Sequence, residues 1–235
     1  MSPFLGEFMG TMLLIIMGDG VVANVVLNKT KGNSSGWIVI TFGWAMAVFL
    51  GVYASTSLGG SGHLNPAVTI AMTAFNDFDP SLLPTYIGAQ FAGAATGAII
   101  VWVAYKQHFD ETIDGDAKLA VFCTGPAIRN AFYNFITEAI GTFVLVFGAM
   151  AMSKPSSTLG TLDALPVGLL ILGIGLSIGG PTGYAINPAR DLAPRIIHFI
   201  LPIKNKRNSD WGYSWIPVFG PIIGALLAVY LFKLI

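Results

Sequence analysis

The sequence predicts an all-α membrane protein with six spanning helices and two re-entrant half-helices arranged as an inverted repeat. Three observations predict it. Of 235 residues, 54% are hydrophobic and only 10% are charged, against roughly 25% charged in a soluble domain. With a mean hydropathy of +0.71, a soluble particle of this size has too few charges to cover its surface. Charges are also absent from whole tracts: 32–76, 80–105, 164–189 and 211–232 contain no Asp, Glu, Lys or Arg, and each exceeds the ~20 residues that cross a bilayer. Finally, Asn-Pro-Ala occurs at 65–67 and again at 187–189, each time between a glycine-rich run and an apolar stretch too short to span.

The same numbers exclude other classes. Twelve Lys plus Arg against twelve Asp plus Glu leave no basic excess for phosphates, so no nucleic-acid partner is expected. The apolar content excludes disorder. One cysteine, Cys123, excludes an intramolecular disulfide and a cysteine-based zinc site. No nucleophile–base set, metal cluster or phosphate-binding glycine loop is present, so neither an enzyme nor a cofactor is expected.

The elements follow in order. The first span, 4–27, tolerates Glu7 and Asp19; no basic segment precedes it, so it reads as a span and not a cleaved signal. Spans at 37–56 and 82–105 lie in charge-free tracts. A span at 132–153 tolerates Glu138. Spans at 161–179 and 214–234 complete the six. All are helical, because an open strand edge is excluded from lipid. Between them, 58–76 and 180–201 read as half-helices: Asn followed by Pro at the first helical position is a start signal, and the irregular backbone before it is tolerated in a membrane only where it is buried or lines a cavity.

The chain also repeats. Glu7-Phe8-Met9-Gly10-Thr11 matches Glu138-Ala139-Ile140-Gly141-Thr142, the two Asn-Pro-Ala boxes match, and Gly93 matches Gly220 at nearly the same offset. One domain, 1–235, divides into a first repeat at 4–105, a connecting loop at 106–130 and a second repeat at 131–235. Three spans per half give the halves opposite topology, so the half-helices enter from opposite faces. Meeting N-terminus to N-terminus, each brings roughly half a positive charge and unsatisfied N–H groups. Cations and protons are repelled there, whereas a neutral molecule with lone pairs is not. Asn65 and Asn187 stand at the N-caps, able to donate to a passing oxygen. Arg190, expensive in a membrane, is expected to face the pore, braced by backbone carbonyls. Glu7 and Glu138 are expected to accept hydrogen bonds from the re-entrant loop of their own half. Asp19 has no partner that the sequence names.

At these residues the chain resembles the major intrinsic protein family, the aquaporins and glycerol facilitators, along nearly its whole length. The resemblance rests on six spans, two Asn-Pro-Ala boxes, E-x-x-G-T twice, and Gly-His-Leu-Asn-Pro-Ala-Val-Thr at 62–69. Exclusion of ions by half-helix dipoles is a known property of such pores. The resemblance implies an aquaporin-like fold, termini in the cytoplasm, a homotetramer with one pore per subunit in the cell membrane, and small neutral solutes such as glycerol and water as its traffic. The termini conflict with the basic residues, most of which follow spans 1, 3 and 5 and would place the termini outside.

Subclass markers point to glycerol facilitators. Asp191 follows Asn187-Pro188-Ala189-Arg190, and Pro217-Val218 resembles their Pro-plus-aliphatic pair. The implied selectivity filter comprises Gly175, Tyr184, Arg190 and a span-2 residue, Ile40 or alternatively Phe42. Trp44, one turn from Ile40, reads either as lining the same wall or as packing on a neighbour helix. Gly175 implies a wide filter with Tyr184 as an aromatic wall. His63 reads as a residue holding the re-entrant turn, with pore lining as the alternative. His108 and His198 read as surface or interfacial, and Cys123 as a loop thiol that a mercurial finds. The solute preference stays open among glycerol, water, lactic acid, dihydroxyacetone, urea and hydrogen peroxide. An ion-coupled transporter is the competing class, and would need acids facing the pore.

Overall fold

The computed structural model describes residues 1–152 and 160–235, and every regular element among them is helical. In order they are α1 (Pro3–Val26), α2 (Trp37–Ser57), α3 (Pro66–Ala74), α4 (Leu83–Ala104), α5 (Lys106–Glu111), α6 (Gly115–Phe122), α7 (Ala131–Ala151), α8 (Leu165–Ser177), α9 (Pro188–Ile200) and α10 (Ile216–Phe232), with 3-10 turns at Pro80–Leu82 and Gly160–Ala164. α1, α2, α7 and the segment Pro80–Ala104 are long and apolar enough to cross a membrane. α8 and α10 are shorter, at 13 and 17 residues. The fifth expected span, 161–179, thus divides into a 3-10 turn and a short α-helix. The last residue of the fourth, 153, and Lys154 lie outside the described residues.

Local chemistry starts these helices where they start. Ser2 caps α1 by accepting from the Leu5 N–H at 3.2 Å, with Pro3 in the first turn. Asn130 caps α7 by accepting from the Tyr133 N–H at 3.2 Å. The half-helices α3 and α9 begin identically, with Asn at the cap and Pro at the first position.

The two halves pack alike. α1 lies against α2 and α4, and α7 lies against α10 and α8. The close crossings occur at Gly93 on the Phe8 carbonyl and at Gly224 on the Ala139 carbonyl, where a Cβ would collide with backbone. Phe8 and Ala139 each follow the repeat-matched acid of their own half, Glu7 and Glu138. The helix contact therefore pairs Gly93 with Gly224 and corrects the expected match to Gly220, which instead packs on the Glu138 Cβ.

Polarity is arranged inside out relative to a soluble protein. Glu7, Asp19, Gln90, Glu138, Asp191 and Arg195 are all fully or almost fully buried, while Ile38, Phe42, Val103, Leu169, Phe219 and Leu227 are exposed. Hydrocarbon is a suitable solvent for that surface and water is not.

Candidate pore and filter

The re-entrant loops are held by the two acids. Glu7 Oε1 accepts from the His63 N–H at 3.1 Å and the Ser55 hydroxyl at 2.9 Å. Its Oε2 accepts from the Leu64 N–H at 2.7 Å and the Gln90 amide at 2.8 Å. Glu138 does the same in the second half, accepting from the Ala185 N–H at 3.0 Å and the Ile186 N–H at 2.8 Å. A carboxylate is the side chain for this task, because both oxygens accept and neither competes as a donor.

The loops are then tied to each other. The Asn65 amide donates to the Ile186 carbonyl at 2.8 Å, and the Asn187 amide donates to the Leu64 carbonyl at 2.7 Å. Each carbonyl belongs to the residue before the opposite asparagine. To present it, Leu64 and Ile186 adopt left-handed backbone, φ 51° and 45°, at a cost of ~1–2 kcal/mol each. Each Asn Oδ1 meanwhile caps its own half-helix, on the Ala67 N–H at 2.9 Å and on the Ala189 N–H at 3.0 Å. The N-termini of α3 and α9 are thereby fixed against one another. Each carboxamide retains a second N–H beyond the one used in this cross-tie.

A cavity of about 440 Å³ runs past this junction. Its lining includes the apolar Val48, Val68, Leu145 and Ile171, and with them Asn65, Asn187, Arg190 and the loop residues Ser61–Leu64 and Tyr184–Ile186. On α2 the lining residues are Trp44, Val48 and Val52. This corrects both expected span-2 filter positions. Phe42 is exposed on the outside, and Ile40 packs against the apolar core. Trp44 is buried, with its ring against Gly18, and the Arg190 guanidinium carbon lies 4.1 Å from its centroid. The brace expected for Arg190 from backbone carbonyls is thus a cation–π contact with Trp44. Asp19 stands behind it, its Oδ1 3.9 Å from Arg190 Nη1.

Gly175 contributes by making room. A Cβ there would lie 2.8 Å from Tyr184 Cζ and 2.8 Å from Thr41 Cγ2. The space expected to widen the filter is filled by the Tyr184 ring, which also meets Trp37 edge-on at 5.8 Å. His63 lines the cavity; its Nδ1 is 3.1 Å from Thr69 Oγ1, and its ring packs on Phe78 and Tyr86. Pro217 is buried at the start of α10, away from the lining.

Asp191 does structural work that the sequence left unassigned. Its Oδ1 accepts from Arg195 Nε at 2.9 Å and Nη2 at 2.7 Å. Its Oδ2 accepts from the Thr124 N–H and hydroxyl, both at 2.7 Å. Arg195 continues to the carbonyls of Thr124 and Ser209. This pair staples the connecting loop at Thr124 and the loop after α9 at Ser209 to α9. His198 is not on the surface as expected: it is fully buried, 2.8 Å from Ser209 Oγ. His108 lies on α5, its Nδ1 3.0 Å from the Asn28 carbonyl. Cys123 is buried where α6 ends.

The profile of the family described as Major intrinsic protein matches residues 1–232. The chain belongs to that family. Among relatives of this major intrinsic protein, a probable glycerol uptake facilitator protein of Thermotoga maritima is 56% identical over 99% of both chains. A glycerol uptake facilitator protein of Streptococcus pneumoniae is 53% identical over 100% of this chain and 99% of its own. The X-ray structure of the aquaglyceroporin from Plasmodium falciparum superposes with a TM-score of 0.81 at 32% identity, covering 99% of this chain and 98% of that one. The all-helical, aquaporin-like membrane fold is the family's.

Proposed function

We propose that the chain is a passive channel for glycerol and similar small neutral solutes, with some water, that excludes protons and ions. The filter carries this reading. Trp44 and Tyr184 give an aromatic wall, and Arg190, over the Trp44 ring, gives hydrogen-bond donors beside it. The carbon-bound hydrogens of a polyol lie against the rings while its hydroxyls meet the guanidinium. Further along, the second N–H of Asn65 and of Asn187 receives the next hydroxyl. The abutting N-termini of α3 and α9 repel cations at that point. The names of the relatives, glycerol uptake facilitators, agree with this assignment.

The acids sit where a channel and not a coupled transporter needs them. Both oxygens of Glu7 and of Glu138 accept from loop N–H groups, so both acids are engaged in holding the loops and not in binding a coupling ion. The exposed apolar belt meets lipid, and part of it meets other copies in a homotetramer in the cell membrane with cytoplasmic termini. No catalytic role is assigned.

Stopped-flow light scattering of proteoliposomes tests the reading. Glycerol influx should exceed that of empty vesicles by about tenfold or more, equivalent to ~1.4 kcal/mol of barrier, and sorbitol should stay out. Fast water movement with glycerol at the empty-vesicle rate would point to a water-selective pore.

A further inference from the structure

We propose that Asp19 is a positioning residue of the filter: it is the counter-charge of Arg190, and it makes the filter reject small anions as well as cations. This inference rests on the reading of the cavity as a solute pore.

The argument starts from what surrounds the arginine. Two half-helix N-termini and a guanidinium place positive potential on one short stretch of the cavity. Left uncompensated, that stretch would repel cations and concentrate anions. Glu7 and Glu138 are turned toward the re-entrant loops, and each is engaged with backbone N–H groups. Asp191 is consumed by Arg195 and Thr124 through four hydrogen bonds of 2.7–2.9 Å. Among the described residues, one carboxylate lies within 4 Å of the Arg190 guanidinium, that of Asp19 at 3.9 Å.

Asp19 is otherwise unexplained. It sits mid-helix in α1, fully buried, and neither of its oxygens has a hydrogen-bond partner among the described residues; the facing Arg190 Nη1 has none either. A buried carboxylate without such partners is expensive. It does not line the cavity, so it touches no solute. What remains for it is the charge of the group in front. Trp44 packs against Gly18, the neighbour of Asp19, and carries Arg190 on its ring. One turn of α1 thus places both the platform and the counter-charge of the arginine. The filter then offers donors to hydroxyls while its net charge with Arg195 and Asp191 is zero.

The test is ion flux with a sign. Wild type, Asp19→Asn, Arg190→Gln and the double variant are reconstituted, and chloride influx is followed by an entrapped halide-quenched dye, potassium efflux by electrode, and glycerol influx by light scattering. Asp19→Asn should raise chloride influx by about tenfold, the scale on which a focused field changes local ion concentration, with potassium unmoved. Arg190→Gln should leak potassium and not chloride. The double variant should leak neither. A merely structural role would open the pore to both ions alike. A folded Asp19→Asn that stays as tight to chloride as wild type overturns the proposal, as does a carboxyl that carries a proton, which the amide would mimic silently. If a single variant does not fold, folding of the double variant supports the pairing, because the uncompensated charge has been removed; failure of all three to fold overturns it. Wild type that passes no glycerol removes the pore reading itself, a result distinct from any ion leak.

Discussion

Tyr184 occupies the volume that a side chain at position 175 would need: a Cβ on Gly175 would stand 2.8 Å from Tyr184 Cζ and 2.9 Å from its hydroxyl. The absent side chain on α8 and the ring on the second re-entrant loop are therefore one feature of the filter. Gly175→Ala should push the ring toward Arg190 and narrow the passage. The expected outcome is a glycerol permeability lowered by about tenfold with water less affected, read from paired osmotic and solute-influx traces. Unchanged glycerol permeability in a folded variant would show that Tyr184 relaxes elsewhere.

Glu138→Gln tests the brace. The amide keeps one acceptor, but its NH2 would face the N–H of Ala185 or Ile186, which now donate to the two carboxylate oxygens. A buried donor left without an acceptor costs ~1–3 kcal/mol. The thermal unfolding midpoint in detergent should fall, and Glu7→Gln should lower it further, because Glu7 holds four donors.

Asp191→Asn breaks a fully buried ion pair and leaves Arg195 uncompensated. Removing one partner of such a pair costs ~3–5 kcal/mol. Limited proteolysis of the connecting loop should accelerate, since Thr124 loses the carboxylate that anchors it to α9. Proteolysis as slow as in wild type would mean that the loops are held by other contacts.

Six apolar tracts and two Asn-Pro boxes made the spans and half-helices legible, because spanning and helix starting are local properties. The roles of Glu7 and Glu138 were legible from repetition. The filter residue on α2 was not: Ile40 and Trp44 are one turn apart, and which faces the cavity depends on how α2 rotates against α1, where Gly18 admits the Trp44 ring. Asp19 and Arg190 are brought together only by the fold, so no spacing revealed that they pair. His198 follows the same logic. Its burial depends on the 3-D path of the 201–215 loop, whose Ser209 it meets.

Cys123 provides a solution check on burial. It closes α6, outside the spans, and burial pushes its thiol well above the ordinary range. The thiolate is the reactive form, so labelling by a maleimide at neutral pH should be slow in the native protein and fast in dodecyl sulfate. Rapid native labelling would show that the Phe122–Thr124 corner opens.

The central claim is that solute passes Trp44, Tyr184 and Arg190 down its own gradient. The most direct measurement is polyol influx into proteoliposomes with ionophores collapsing all ion and proton gradients, comparing wild type with Trp44→Ala. Wild type should take up glycerol at the same rate with and without ionophores and exclude sorbitol, while Trp44→Ala should admit sorbitol. Glycerol uptake that stops when the gradients collapse, or a Trp44→Ala variant that folds and still excludes sorbitol, would contradict the account.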